Sequence, residues 1–201
     1  MAIKVECLAV GELAANCYVV ENEETGECVV VDPGAQAQRI VERVGGRKVA
    51  AVLLTHGHCD HIGAADEVCA HFDAPLYVHE ADAPKLTDPD ANVSRLFGFL
   101  LRVHTKPRTL AGGDTLHLAG MDIGVMHTPG HSMGSVCFLL PKGAGVLTGD
   151  TLFAHGYGRT DFADGDFGLL RASLRALLRM TPRQIAYPGH GEPGIAGRAE
   201  A

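Results

Sequence analysis

Apolar residues along this chain fall into short runs separated by turn-forming residues, and most runs have the length of a strand. Residues 3–31 carry β-branched runs around a turn that contains glycine, and Asp32-Pro33-Gly34 closes them. Val49–Thr55 is an unbroken apolar run, which is typical of a strand buried on both faces. Further strands are predicted at residues 74–80, 115–120, 121–127, 135–141, 145–150 and 184–190.

Three segments have helical spacing instead. Gln36–Val44 ends at two glycines, Gly63–Phe72 is predicted to be a short helix, and Asp166–Met180 has the strongest pattern. The apolar face predicted for this last helix is Phe167, Leu170, Leu174, Leu177 and Leu178, and the stripe expected to face solvent is Arg171, Arg175 and Arg179. Ala83–Pro107 follows neither period, so we expect a long loop or short helices that suit a lid or a substrate wall.

Length and composition narrow the class of protein. The chain has 201 residues, of which 46% are hydrophobic and 20% charged, so we expect one mixed α/β domain over residues 1–201. The net charge of −7 argues against a nucleic-acid partner. No apolar run reaches the ~18 residues that a membrane span needs, and the N-terminus lacks the pattern of a secretory signal.

The six cysteines show no C-x-x-C pair, which is typical of reduced thiols and predicts a cytoplasmic location. The sequence leaves the oligomeric state open between a monomer and a homodimer.

The densest chemical signal is the hexapeptide His-Gly-His-Cys-Asp-His at residues 56–61, directly after the buried-strand pattern. Imidazole nitrogens and carboxylate oxygens at this density are typical of a metal site that suits Zn²⁺, and also Fe or Mn. Gly57 is expected to permit a tight turn, so that neighbouring side chains converge. Cys59 is expected to be packed and not to bind metal.

Three further candidates share one context: each follows an apolar strand and has a glycine immediately before it. They are His131, Asp150 and His190. With His56, His58, Asp60 and His61 they make seven ligand groups, which is too many for one tetrahedral ion. The set suits two divalent ions about 3.5–4 Å apart, bridged by one carboxylate and a water.

The remaining histidines lack this context. His71, His79, His104, His117 and His155 are expected to be structural or exposed. His127, which precedes the segment that carries His131, is a candidate for supporting a ligand.

A serine nucleophile is the competing interpretation, since residues 130–134 match the G-x-S-x-G elbow of serine hydrolases. Pro129 interrupts the approach to Ser132, and a strand rather than a helix is predicted after it. A serine mechanism also leaves the hexapeptide at residues 56–61 unexplained, so we favour metal chemistry.

The H-x-H-x-D-H motif with a later His, Asp and His resembles the metallo-β-lactamase superfamily, from the N-terminal strands to His190. The resemblance implies an αββα sandwich of two mixed β-sheets flanked by helices, with metals at one edge. It also implies that His56, His58 and His131 hold one ion, that Asp60, His61 and His190 hold the second, and that Asp150 bridges them.

Within that superfamily, the T-P-G-H-S and G-D-T-L-F segments resemble the glyoxalase II group of hydroxyacylglutathione hydrolases, in its single-domain bacterial branch. This implies a metal-bridging hydroxide, oriented by Asp60, that splits S-lactoylglutathione or a related S-acylglutathione into thiol and hydroxy acid. Larger members carry a C-terminal helical domain that helps to hold glutathione, and we expect none after His190. Their lysine and tyrosine after G-D-T-L-F correspond here to Arg159 and Asp161.

Substrate contacts are less well defined by the sequence. Arg159 is expected either to attract an anionic substrate or to pair with Asp161 or Asp164, and Asn92 and Ser94 are expected in the substrate wall. The alternative activity within the same fold is that of a persulfide dioxygenase with a single Fe at the positions of His56, His131 and Asp150. The P-G-H-G segment around His190 favours hydrolysis. A non-enzymatic metal-binding scaffold is the third class, and the complete ligand set argues against it.

Overall fold

Two six-stranded sheets form the centre of the protein, for which a computed structural model describes residues 2–195. The strands of the first sheet follow one another in chain order: β1 Ile3–Val10, β2 Ala15–Asn22, β3 Glu27–Val31, β4 Lys48–Leu53, β5 Leu76–His79 and β6 Arg108–Leu110. β1 to β3 pair antiparallel, and β3 to β6 run parallel. The first sheet is therefore mixed.

The second sheet is also mixed and is formed by the second half of the chain. Its strands are β7 Thr115–Leu118, β8 Met121–His127, β9 Val136–Leu139, β10 Val146–Gly149, β11 Ile185–Pro188 and β12 Gly194–Ile195. In space they also lie in sequence order, from β7 at one edge to β12 at the other. β10 and β11 are parallel, and the other neighbours are antiparallel.

The helices lie on the outer faces of the two sheets. They are α1 Ala37–Val44, α2 Cys59–Ile62, α3 Ala65–Phe72 and α4 Phe167–Met180, with short 3₁₀ helices at Ala83–Thr87, Ser94–Phe97 and Pro141–Gly143. Within residues 2–195, no helix combines the length and the apolar composition that crossing a membrane requires.

Three apolar layers hold these elements together. Ile40 and Val68 pack α1 and α3 on one face of the first sheet. Leu53 and Phe138 belong to the layer between the two sheets, and Leu177 of α4 packs on the outer face of the second sheet. The order helix, sheet, sheet, helix confirms the predicted αββα sandwich.

Helix α4 differs from its prediction at the N-terminal end. Asp166 is the N-cap, and its carboxylate accepts a hydrogen bond from the Leu169 N–H at 2.9 Å. Phe167 was expected on the buried face, but it is 50% exposed because its ring lies beside Tyr157, outside the core. The three arginines on the stripe are exposed, as predicted.

Candidate metal centre

The ligand candidates follow strands that end at one edge of the sandwich. β8 and β10 both run antiparallel to β9, and β11 runs parallel to β10, so these three strands point the same way. In the first sheet, β3, β4 and β5 are also parallel to one another. Because the carboxyl ends of parallel strands meet at the same edge, loops distant in sequence converge there.

Three histidines form the first set of candidate ligands, here named the histidine group. His56, His58 and His131 are 1–2% exposed, and their ligand nitrogens lie within 4.8 Å of one another. His58 Nδ1 lies 2.9 Å from His131 Nε2. Nitrogens held this close and shielded from water suit a single ion as their common partner.

The second set, here named the aspartate group, consists of Asp60, His61 and His190. The helical turn of α2 carries the first two, and the loop after β11 supplies the third. Asp60 Oδ2 lies 3.2 Å from His190 Nε2 and 3.7 Å from His61 Nε2. This group contains a carboxylate and is more exposed than the histidine group.

Asp150 lies between the two groups. Its Oδ2 is 3.4 Å from His131 Nε2 and 3.7 Å from His190 Nε2, and its Oδ1 is 3.5 Å from His61 Nε2. One carboxylate therefore reaches a histidine of each group, as a bridging ligand must.

Several polar atoms at this point have no protein partner. His56 Nε2, His61 Nε2 and Asp150 Oδ1 are buried and make no hydrogen bond within the part of the chain that the structure describes. Buried polar atoms without partners are costly, and a bound cation would satisfy them. The seven residues thus fit divalent ions that accept nitrogen and oxygen ligands.

The electrostatics of the two groups differ. Burial, reinforced by neighbouring imidazoles, holds the pKa of His56 and His58 well below the usual range. Burial also acts to lower the pKa of His61, but the carboxylates of Asp60 and Asp150 outweigh it and raise that pKa to about 10. His56 and His58 therefore present neutral nitrogens, whereas His61 lies in the negative field of two carboxylates.

Asp32, which was predicted only to lie in a turn, orients a histidine of each group on the side away from the candidate ions. It is 1% exposed, and its carboxylate accepts hydrogen bonds from Thr55 N–H at 2.7 Å and Thr55 Oγ1 at 2.6 Å. His61 Nδ1 donates to it at 3.0 Å, which leaves His61 Nε2 free for an ion. Because the Thr55 hydroxyl proton is used on Asp32, Thr55 Oγ1 accepts from His56 Nδ1 at 3.1 Å.

A second buried carboxylate, Asp82, joins the loops that carry His58 and His131. It accepts hydrogen bonds from the N–H groups of Gly57 and Gly134, both at 2.8 Å, and from Ser132 Oγ at 2.8 Å. The sequence offered no signal for this role, because Asp82 lies in an irregular segment.

The structure corrects the role expected of Gly57. Its backbone does not adopt a positive φ; instead a Cβ atom there would approach Lys85 Cβ to 2.9 Å. The glycine permits close packing and not a special turn.

Backbone carbonyls orient two more ligands. His131 Nδ1 donates to the Arg159 carbonyl at 2.8 Å, and His190 Nδ1 donates to the Leu13 carbonyl at 3.1 Å. Tyr18 donates its hydroxyl to the Pro188 carbonyl at 2.6 Å, which fixes the strand end before His190. The two contacts through Nδ1 leave the Nε2 atoms of His131 and His190 directed at the metal centre.

A cleft of about 520 Å³ opens above the centre. Its walls include Val93 and Phe97 on one side and Arg159 and Phe162 on the other. The Arg159 guanidinium is exposed, makes two contacts of 2.6 Å with the Asp161 carboxylate, and lies 4.5 Å from the Phe162 ring centre. The pairing of Arg159 with Asp161 is thus confirmed, while attraction of an anionic substrate stays a prediction.

The expectation that Asn92 and Ser94 face a substrate is wrong. Both side chains are fully buried. Asn92 Nδ2 donates to the Lys85 and Leu101 carbonyls, and Ser94 Oγ accepts from Leu101 N–H. The segment does contribute to the wall, but through the apolar side chains beside these two residues.

The other candidates lie apart from the centre. His127 is exposed, stacks on His79 at 4.2 Å and donates to the Met133 carbonyl, so it does not support a ligand as hypothesised. Cys59 is buried, and burial raises the pKa of its thiol to about 12, in keeping with packing. Ser132 is also fully buried, with its hydroxyl on Asp82, which does not suit a nucleophile.

A family model described as the metallo-beta-lactamase superfamily matches residues 10–190, a range that contains all seven candidate ligands. The chain belongs to the metallo-β-lactamase superfamily. It is thus a member of a superfamily of metal-dependent hydrolases.

Similar superfamily members carry different descriptions. Hydroxyacylglutathione hydrolase GloC of Haemophilus influenzae is 31% identical over 98% of this chain and 94% of that protein. The crystal structure of BLEG-1, described as a B3 metallo-β-lactamase, is 35% identical with a TM-score of 0.91, covering 97% of this chain and 95% of that chain. TTHA1623 in a di-iron-bound form is 36% identical with a TM-score of 0.82, covering 96% of each chain. These descriptions differ in substrate and metal.

Proposed function

We propose that this superfamily member hydrolyses thioesters, with S-lactoylglutathione or a related S-acylglutathione as substrate and two divalent ions, Zn²⁺ first among them, as cofactors. The observation that carries the proposal is the position of Asp150 between the histidine group and the aspartate group. Two complete ligand groups joined by one carboxylate suit a pair of ions better than the single iron of a dioxygenase. The similarity to GloC supports a thioester as the substrate.

When bound, such a pair of ions lowers the pKa of water toward ~7 and polarises a carbonyl oxygen. The protein must then position water and substrate. Asp60 faces the cleft, where its carboxylate can orient the attacking water by accepting a hydrogen bond from it. As the water oxygen adds to the carbonyl carbon, the C–S bond breaks, and the proton passes to the departing thiolate.

The walls of the cleft support this reaction by limiting access of bulk water. The Phe162 ring lies edge-on to His58, with ring centres 5.1 Å apart, and Phe153 lies 6.2 Å from the His190 ring. Apolar rings around the ligands lower the local dielectric and strengthen the electrostatic contacts within the centre. A small thioester, and neither nucleic acid nor membrane, is the partner that this proposal requires.

The test is thiol release from S-lactoylglutathione by purified protein, by a chelator-treated sample, and by the treated sample reloaded with Zn²⁺, Fe²⁺ or Mn²⁺. We expect release that the chelator abolishes and one of the metals restores. Elemental analysis of the purified protein identifies the resident metal.

A fully reloaded sample that releases no thiol would contradict the proposal. Oxygen uptake with glutathione persulfide, or ring opening of a β-lactam, by a sample that leaves the thioester intact would assign a different reaction to the same centre.

A further inference from the structure

We propose that an apolar groove beside the metal centre binds the acyl chain of the substrate, so that the enzyme prefers thioesters with acyl groups longer and less polar than lactoyl. This inference rests on the proposed function and specifies its substrate class. The groove has a volume of about 480 Å³, and its apolar lining includes Val10, Ala35, Cys59, Phe97, Phe99 and Leu101.

The groove adjoins the cleft above the metal centre. Leu13, Asp60 and Phe97 line both cavities. Helix α2 carries Cys59 into the groove and Asp60 to the boundary with the cleft. A chain that starts at a carbonyl beside Asp60 can therefore continue into the groove.

Close backbone packing forms the groove at this point. A Cβ atom on Gly34 would lie 1.7 Å from the Asp60 carbonyl oxygen, and one on Gly63 would lie 2.3 Å from the Gly34 carbonyl oxygen. The loop after β3 and helix α2 can approach this closely only because both positions are glycine. Part of the lining of the groove is thus closely packed backbone directly beside a candidate ligand.

The charges around the groove favour a neutral occupant. The charged side chains in its lining are Glu12 and Asp60, and no cation of the described chain belongs to that lining. An anionic group would be repelled by these carboxylates. An uncharged alkyl chain is not repelled, and its transfer from water into the groove is favourable.

The cations near the cleft are already paired with carboxylates. Besides the Arg159–Asp161 pair, Lys85 Nζ lies 2.6 Å from Asp164, and Arg95 lies 2.6 Å from Asp90. The carboxylates of a glutathione moiety must compete with these partners. Recognition therefore depends more on the acyl part than on the thiol carrier.

Exposed apolar side chains also point to an occupant. Phe97 and Phe99 are each 48% exposed and Leu13 is 45% exposed, on both sides of one groove. Contiguous exposed apolar surface of this kind marks binding sites. An acyl chain placed between these side chains would remove them from water.

The test uses a series of thioesters of one neutral thiol, N-acetylcysteamine, with acyl groups from acetyl to octanoyl. We expect kcat/KM to rise about fourfold for each methylene that enters the groove, as burial of a methylene predicts. Binding of the corresponding S-alkyl thioethers, which cannot be hydrolysed, is measured by calorimetry and should strengthen by a similar factor.

Two variants and a matched control localise the effect. Phe99→Ser removes an apolar wall of the groove and should flatten the dependence of kcat/KM on acyl chain length. Ala35→Leu fills part of the groove and should make kcat/KM stop rising at a shorter acyl chain. Leu100→Ser is the control, since this residue lies on the same segment, is 57% exposed and does not line the groove. We expect it to behave like the wild type.

The outcomes separate this inference from the proposed function. If no thioester is hydrolysed but thioether affinity rises with chain length, the proposed reaction is wrong, whereas the proposal that the groove binds an alkyl chain is supported. Equal rates and equal affinities at all chain lengths would overturn the groove. It would also be overturned if Phe99→Ser changed the oligomeric state and left the chain-length profile intact, because the apolar surface would then be a contact between copies.

Discussion

The histidine group and the aspartate group lie side by side but differ in burial and charge. The first is shielded from solvent and consists of imidazoles, and burial holds the pKa of His56 and His58 well below the usual range. The second contains Asp60 and His190, whose side chains are 18% and 28% exposed, and both line the cleft. Asp150 is the side chain that connects them.

This difference suggests a division of labour within one centre. A set of buried imidazoles is suited to hold an ion firmly, because it is shielded from water and because His56 and His58 are held in the neutral form that binds metal. A partly exposed set with a carboxylate is suited to meet water and substrate. The two groups also differ in their supports, since Asp82 joins the loops of the histidine group, whereas Asp32 contacts His61 directly and reaches His56 only through Thr55.

Asp150→Ala should have the largest effect, because it removes the ligand common to both groups. We expect fewer than two ions per chain and a loss of thioester turnover of at least about 10³-fold, the scale of several kcal/mol of transition-state stabilisation. Elemental analysis and thiol release measure the two quantities.

Asp122→Ala is the matched control for this substitution. Asp122 is 73% exposed and pairs with His117 on the second sheet, away from the centre. A variant Asp150→Ala that kept two ions and full turnover would contradict the bridging role.

Asp32→Asn should weaken the aspartate group more than the histidine group. The carboxylate accepts from Thr55 N–H on one oxygen and from Thr55 Oγ1 and His61 Nδ1 on the other, so an amide whose single oxygen keeps the hydrogen bond from Thr55 N–H leaves His61 without its orienting partner. Loss of such a partner lowers metal affinity about 10–100-fold. Zn²⁺ titration of the chelated protein against a metal-binding dye resolves the two binding steps.

The variants His58→Ala and His190→Ala assign each step of that titration to one group. Equal weakening of both steps in Asp32→Asn would show that Asp32 acts on the two groups alike, through Thr55 and His56 as much as through His61.

Asp82→Asn should weaken metal binding at the histidine group more than at the aspartate group, and by a smaller factor than Asp32→Asn weakens the aspartate group. An amide offers one acceptor atom in place of two, so one of the N–H groups of Gly57 and Gly134 loses its partner. We expect a loss of about 1–3 kcal/mol in the free energy of unfolding and a weaker step for the histidine group. Urea unfolding and the same dye titration measure these changes.

The control for Asp82→Asn is Asp88→Asn, which alters an exposed aspartate that also accepts backbone hydrogen bonds, from the N–H groups of Asp90 and Ala91. If both variants leave the histidine-group step unchanged, Asp82 contributes to stability alone and does not position the ligand loops.

The sequence predicted the strand-rich fold because its signals are local. Val49–Thr55 is apolar throughout and lies at the centre of the first sheet as β4. Phe167 was placed wrongly because helical spacing defines a face but not where the neighbouring sheet ends. Its ring lies beyond the packed part of α4.

The candidate ligands were predictable for a related reason, since a glycine and a ligand-type residue follow an apolar strand at His131, Asp150 and His190. Asp32 also follows an apolar strand, β3, but no glycine precedes it, and it was assigned to a turn because a proline and a glycine come next. Asn92 and Ser94 were misplaced because composition does not reveal the direction of a side chain in a loop. Their hydrogen bonds to the loop backbone exist only in the folded chain.

The smallest predicted effect concerns Arg159 at the rim of the histidine group. Its carbonyl, and not its side chain, orients His131, so Arg159→Ala should leave the metal content unchanged. Its guanidinium is already paired with Asp161 in solvent, where an ion pair contributes little free energy. We therefore expect KM for an anionic thioester to rise no more than about fivefold, with kcat and the hydrolysis of a neutral thioester unaffected.

Asp161→Ala should lower KM for the anionic substrate, because it frees the guanidinium. If KM for the anionic thioester rose 100-fold in Arg159→Ala, the guanidinium would have to leave Asp161 and bind the substrate. The rim of the histidine group would then take part in substrate binding as much as the exposed aspartate group does.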